Sequence, residues 1–272
     1  MKLINLALLV ITSLFIAGVA CGKDDYYLHD AHIHYSKDMW ETLPPEQAIK
    51  MLKDVNIKRA LVSATPTQGA EILYREDPEI VVPMLRPYKS WRHRFTWFND
   101  PQLESYLIEH LSKIPYRGIG EFHVFGKDAA SPAIEKMIGL AQQKELPLHA
   151  HTDLEGMKII LQKAKGVVVI WAHGGFDVPL SILKSLIESN PEFYIELSYR
   201  EGMLDEQGNL HTAWKAFLTQ YSERFLVGMD TYKPSRWAEL AENAQSTQHW
   251  LKQIPEKSAE NIANRNFNRL FR

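Results

Sequence analysis

One cysteine, Cys21, occurs in 272 residues, so no disulfide can form within the chain. Charge of one sign is not in excess. Thirty-one Lys and Arg stand against 33 Asp and Glu, and the formal net charge of −2 gives no electrostatic case for nucleic acid as a steered partner. Local basic patches remain open. Low-complexity tracts, charge blocks and long linkers are missing, which argues for one domain. The apolar run at 3–16 is broken by Asn5, Thr12 and Ser13 and is too short for a comfortable membrane span. No glycine-rich phosphate turn follows the first β-rich run, which removes the main support for an open doubly wound sheet.

What is present is ordinary globular material in a regular alternation. Hydrophobic residues make up 45% and charged residues 24%, enough for a sizeable core. Runs at 27–34, 59–64, 80–86, 118–125, 146–152, 167–173, 193–199 and 225–230 read as strands. Most are near-continuously apolar, as parallel strands buried on both faces are. Amphipathic stretches at 45–55, 68–74, 102–111, 133–143, 154–164, 180–188 and 212–221 predict the helices between them, with 235–254 and 257–270 after the last strand. Eight such alternations imply right-handed crossovers and a parallel sheet. About 250 residues is the usual size of one (β/α)₈ barrel. The expected fold is therefore α/β, a single TIM barrel over 21–272.

The segment 1–20 reads as an export signal, with Lys2 as its positive end and small residues Ala17, Gly18 and Ala20 before Cys21. That arrangement resembles the lipobox of bacterial lipoproteins, although Gly18 stands where an aliphatic residue is usual. The resemblance implies lipidation of Cys21 and a membrane-tethered protein in a bacterial cell envelope, facing the periplasm or the exterior. An uncut signal anchor and simple secretion are the alternatives.

Six of the eleven histidines, His32, His34, His123, His149, His151 and His173, sit near the C-terminal ends of the expected strands. In a parallel barrel that end carries the active site. Residues i and i+2 of a strand share a face, so His32 and His34 can grip one ion. Glu121 lies within an apolar strand, a costly place for a carboxylate unless it is paired or bound to a cation. A buried ion pair with a lysine or arginine is its alternative. His151 is better placed at the mouth than His149, for which a core histidine is a fair alternative. His173 ends an apolar run before Gly174 and Gly175, and Asp230 ends another, where it could also cap a helix. Imidazole and carboxylate without thiolate suit Zn²⁺ first, and Mn²⁺, Fe²⁺ or Ni²⁺ as alternatives.

The ordered set Asp30-Ala31-His32-Ile33-His34, Gly120-Glu121, His149-Ala150-His151, Ala172-His173-Gly174-Gly175 and Gly228-Met229-Asp230 resembles the amidohydrolase superfamily, from Asp30 to the end of the chain. The segment 260–271 is similar to the closing helix of its amidohydrolase-2 branch, and the glutamate on strand four also resembles TatD-like nucleases. Met229 stands where that branch commonly has serine. The resemblance implies metal ligation by His32, His34, His151, His173 and Asp230, with Glu121 at the position of a bridging group between two ions. If Glu121 instead bonds a ligand histidine, one ion is held. Asp230 is the expected proton carrier.

Arg86, His123, His149 and Arg200 are the expected substrate contacts, and the basic and aromatic loop 88–97 suits an anionic or aromatic small molecule. The expected reaction is metal-dependent hydrolysis of an ester, lactone, amide or phosphoester. Decarboxylation of an aromatic or unsaturated acid, fitting an Arg86–Arg200 pair, is the second reading. A catalytically silent binding protein is the third, and a TatD-like nuclease is disfavoured by net charge and export. Oligomeric state is not legible.

Overall fold

The protein is described from a computed structural model covering residues 25–272; the expected signal at 1–20 and Cys21 lie outside the described residues. The described residues form eight parallel strands: β1 Leu28–His34, β2 Ile57–Ser63, β3 Val81–Pro83, β4 Ile119–His123, β5 Leu148–His151, β6 Val169–Trp171, β7 Phe193–Glu196 and β8 Phe225–Leu226. Seven helices connect them: α1 Pro45–Asp54, α2 Gln68–Glu76, α3 Leu103–Leu111, α4 Pro132–Gln143, α5 Leu154–Lys163, α6 Leu180–Ser189 and α7 Thr212–Gln220. After β8 come α8 Pro234–Ala238, α9 Leu240–Leu251, α10 Glu256–Glu260 and, beyond a wide π-helical turn at Asn261–Arg265, α11 Asn266–Leu270. The expected helix 235–254 is thus two helices meeting at Glu239.

Strand pairing runs β1-β2-β3 and β4-β5-β6-β7-β8, and short seams join the two sheets. At one seam Leu85 N–H donates to Gly118 O and Gly120 N–H donates to Leu85 O, at 3.0 and 2.9 Å. At the other, Ala31 N–H donates to Val227 O at 2.8 Å and Asp230 N–H to His32 O at 2.7 Å. Both edges are satisfied, so the sheet closes on itself. The seam at β8–β1 ties Asp230 directly to the strand that carries His32.

Packing follows from alternation along the strands. Ala60 and Val62 join the main apolar core, while Leu61 between them joins a separate inner cluster. That inner cluster takes Ala31, Leu61, Val82, Ile170, Tyr194 and Leu226 from six strands and is closed by Phe267 of α11 and Phe271 just after it. Burying one such ring contributes about 1.5–3 kcal/mol. The closing helix therefore plugs the end of the barrel at which the strands begin and leaves the other end for chemistry.

Helix starts are set locally. Ser131 Oγ accepts from Ile134 N–H ahead of α4, and Asp153 accepts from Gly156 N–H at 2.8 Å ahead of α5. The cap on α5 follows His151 by two residues and fixes where that strand gives way to helix. Several strands are shorter than their apolar runs: 80–86 yields three ladder residues, as does 167–173, and 225–230 yields two. Positive φ at His173 and Asp230, 60° and 47°, turns the chain out of the ladder at these ends. Among the described residues no helix is long and apolar enough to cross a membrane.

Candidate metal centre

Six side chains from five strand ends converge at the open end of the barrel. His32 Nε2 and His34 Nε2 lie 3.1 Å apart. His34 Nε2 is 3.2 Å from Glu121 Oε2 and from Asp230 Oδ1. His32 Nε2 is 3.5 Å from Glu121 Oε1 and 3.6 Å from Asp230 Oδ1. His173 Nε2 is 3.2 Å from His151 Nδ1, and His151 Nδ1 is 2.8 Å from Glu121 Oε1. Atoms bound to one zinc ion at about 2.0–2.2 Å must lie roughly 3–4 Å from one another. All the separations but the 2.8 Å hydrogen-bond contact between His151 and Glu121 meet that condition.

Outer hydrogen bonds decide which nitrogens face inward. His32 Nδ1 is 2.8 Å from Glu196 Oε2, His173 Nδ1 is 3.0 Å from Ser198 O, and His34 Nδ1 is 3.1 Å from Ser63 O. These acceptors place the proton on Nδ1, so each Nε2 presents a lone pair to the centre. Three lone pairs beside two carboxylates repel one another unless a cation lies among them, so the donor set fits a divalent metal.

The carboxylates also draw positive charge to this centre. Burial disfavours charge on His32, but Asp230, Glu121 and Glu196 outweigh it and raise its pKa well above the usual range. Burial likewise opposes ionisation of Asp230, yet His32 and His34 hold its carboxyl well below the usual range. Glu121 is also held low against burial, by His123 and His32. Two irregularities in strand pairing fall at these residues, between Asp30 and Ile33 on β1, around His32, and between Gly120 and Phe122 on β4, around Glu121. Bulges of this kind re-aim side chains. Four non-glycine residues lining the cavity, His173, Phe176, Tyr199 and Asp230, have φ between 47° and 60°. Such conformations cost about 1–3 kcal/mol each and gather at functional sites.

The cavity above the donors measures about 280 Å³ and is walled by Trp91, Arg94, His123, Phe176, Tyr199 and Tyr232. His123 accepts its place there: its Nδ1 is 2.9 Å from Tyr88 Oη, and its ring stacks on His151 at 4.3 Å. Burial lowers its pKa well below the ordinary imidazole value, against the pull of the Glu121 carboxylate.

Of the expected substrate contacts, His149 and Arg200 lie off the cavity wall, and Arg86 lines it but is bound to Glu121. Arg86 lines the cavity, but its Nη2 donates to Glu121 Oε2 at 2.7 Å, its Nε to Glu121 O and its Nη1 to Thr65 Oγ1. It is the ion-pair partner of Glu121 rather than a free anion clamp. The same Nη2 lies 3.2 Å from His34 Nε2. His149 is buried beside His32, ring centroids 4.7 Å apart, and does not reach the cavity wall. Strand alternation placed it on the inner face, but one layer below the donors. Arg200 turns away from the mouth: it donates to Val178 O and Glu201 O and lies over the Trp214 ring at 4.9 Å. Burial pushes its pKa down to about 10.

Glu196 was not singled out from the sequence. It is fully buried and accepts from His32 Nδ1, from Ser198 Oγ at 2.9 Å and from His173 N–H at 3.2 Å, while its Oε1 accepts from Ser198 N–H. With both oxygens saturated by donors it orients His32 and His173. The signal was available, since it is a lone carboxylate in an apolar run, as Glu121 is.

No protein-family model and no curated protein matches the sequence. Solved structures do. A probable 2-pyrone-4,6-dicarboxylic acid hydrolase from Acinetobacter baumannii with citric acid bound is 15% identical, with a TM-score of 0.60 over 90% of this chain and 99% of that one. An amidohydrolase from Burkholderia multivorans with bound zinc is 12% identical, with a TM-score of 0.60 over 90% and 99%. A TatD homologue from Escherichia coli is 15% identical, with a TM-score of 0.63 over 90% and 98%. The chain therefore has the (β/α)₈ barrel fold that amidohydrolases and TatD homologues share.

Proposed function

We propose that the protein is a metal-dependent hydrolase of small molecules, acting on an ester, lactone, amide or phosphoester bond. One observation carries the reading: His32, His34, Glu121, His151, His173 and Asp230 bring donor atoms to within 2.8–4.0 Å of neighbours in one open cavity. The names of the similar solved structures, which include hydrolases and a zinc-bound amidohydrolase, support the same class.

The ligands would be His32, His34, His173 and Asp230, with Glu121 Oε1 and His151 beside them. A divalent ion held there supplies Lewis acidity and makes water a nucleophile near neutral pH. Asp230 stays ionised in the field of His32 and His34, so it can take a proton from water and return it to a leaving group. Its Oδ1 faces His34 and His32, which leaves Oδ2 the freer oxygen for that proton. His123, neutral and close to the rim, can donate or accept at the substrate.

The geometry favours one ion. A carboxylate bridge uses both oxygens, but Glu121 Oε2 is held by Arg86. A second ion on that side would meet the guanidinium charge. Zinc is the metal we expect from the imidazole–carboxylate set. The decarboxylase reading rested on Arg86 and Arg200 acting as a pair on one substrate, and only Arg86 lines the cavity. Envelope anchoring through Cys21 is part of the proposal and is tested by metabolic acyl labelling of the wild type against Cys21→Ser.

Metal analysis of the purified protein tests the central claim. One equivalent of metal, loss of hydrolysis on chelation and recovery on adding zinc are expected. Full activity on ester and lactone substrates after metal removal would refute it.

A further inference from the structure

The metal cavity has an annex. Phe95, Phe98 and Phe125 wall a second hollow of about 400 Å³ that shares Arg94, His123 and His151 with the first. Among the described residues seven large hydrophobic side chains are exposed, and five of them, Trp91, Phe95, Phe125, Tyr199 and Tyr232, border these two hollows. Aromatic surface concentrated at one mouth marks a ligand site.

Arg94 stands between the hollows. Its guanidinium carbon is 4.7 Å from the Trp91 ring centroid and 4.6 Å from that of Phe95. Its Nε is buried and has no hydrogen-bond partner. Among the described residues no carboxylate pairs with it, and Asp128, which also lines the annex, is not within ion-pair distance. Arg86, a neighbour in the same cavity, has all three nitrogens engaged. A guanidinium fixed between two rings is pre-oriented at small entropic cost and matches a planar anion through paired N–H donors.

We infer that Arg94 is a specificity-determining residue that holds a substrate carboxylate at the junction of the two hollows, with the flat apolar group bearing that carboxylate resting in the annex. The scissile bond then lies over the ligand histidines. The substrate class is an aryl-carboxylate conjugate rather than a neutral or purely aliphatic ester. This inference rests on the hydrolytic reading above for the reaction, but not for the binding.

The test uses the metal-loaded protein with 4-carboxyphenyl acetate and phenyl acetate, and calorimetric binding of 4-hydroxybenzoate. The wild type should favour the carboxylate ester by about tenfold to a hundredfold in kcat/KM, the span of a charge-assisted hydrogen bond. In Arg94→Met that ratio should fall towards one, and Arg94→Lys should restore part of it. The preference should appear mainly in KM. Binding of 4-hydroxybenzoate should weaken by a similar factor in Arg94→Met and also in Phe125→Ala. Should neither ester turn over while 4-hydroxybenzoate still binds in an Arg94-dependent way, the hydrolytic reading fails and the subsite stands. Metal-dependent hydrolysis with a preference unchanged in Arg94→Met overturns the subsite alone. Binding of 4-hydroxybenzoate that is absent, or equal in wild type and Arg94→Met, overturns it as well.

Discussion

Replacing Glu196 by Gln changes one atom in the layer behind the ligands, and its effect can be worked out in advance. Oε2 of Glu196 accepts from His32 Nδ1 at 2.8 Å, Ser198 Oγ at 2.9 Å and His173 N–H at 3.2 Å, and Oε1 accepts from Ser198 N–H. A glutamine must put its NH₂ on one side. Facing Oε2's partners it meets three groups, so it will settle at the Oε1 position, opposite the Ser198 N–H. One buried hydrogen bond is lost there, about 1–3 kcal/mol of stability in the metal-free protein. The larger loss is the carboxylate charge behind His32. An outer partner of this kind is worth about tenfold to a hundredfold in metal affinity. Competition titration of zinc against a chromogenic chelator, on a variant shown to be folded by near-UV circular dichroism, measures it. A folded Glu196→Gln protein with wild-type zinc affinity would refute the orienting role and with it the tautomer assignment of His32.

Other expectations follow from the same layer and its surroundings. A methyl group at Gly228 would overlap Glu196 Oε1 and lie 2.9 Å from His32 Cβ, so Gly228→Ala should lower zinc affinity as well as stability, by about 1–3 kcal/mol in urea unfolding. Arg200 faces away from the cavity, so Arg200→Met should keep kcat/KM for carboxylate-bearing esters within about twofold of wild type while changing the melting temperature; a large selective loss on those esters would restore Arg200 to the substrate site. Burial opposes the ionisation of Glu196, but His32 outweighs it and lowers the carboxyl to about 2 from its ordinary 4.5. A depressed carboxylate stabilises the fold fully above pH 4.5, and that contribution, roughly 3 kcal/mol, is lost as pH falls from 4.5 through 2. The difference between wild type and Glu196→Gln in denaturation of the metal-free protein should therefore shrink over that window, and a constant difference would contradict it.

Much of this protein was legible in its sequence because the signals were local. Alternation fixes which side chains share a face, so His32 with His34 could be placed together from spacing alone. Strand runs that are mostly near-continuously apolar and alternate eight times with helical stretches imply a parallel sheet with helices outside it, and the end of each run says which residues reach the rim. His151, His173 and Asp230 sit where that reasoning puts them. The limits were equally physical. His149 has the parity of His151, but parity does not give depth, and it lies in the layer below. The apolar runs overstate the lengths of β6 and β8, because an apolar run does not reveal the positive φ at His173 or Asp230, where the chain turns out of the ladder.

The sequence by itself determined the alternation, the histidines and carboxylates that reach the mouth and the end of the barrel that carries them, because each depends on neighbours a few positions away. Only the tertiary structure decided the partners of the arginines and carboxylates. Arg86 and Arg200 both end apolar runs, yet one reaches 35 residues along the chain to Glu121 and the other folds outward over Trp214. Glu121 and Glu196 look alike in their strands, yet one faces the cavity and the other braces His32 from behind. A long polar side chain settles where its charge and hydrogen bonds are best satisfied, and those partners exist only once distant strands have closed into a barrel.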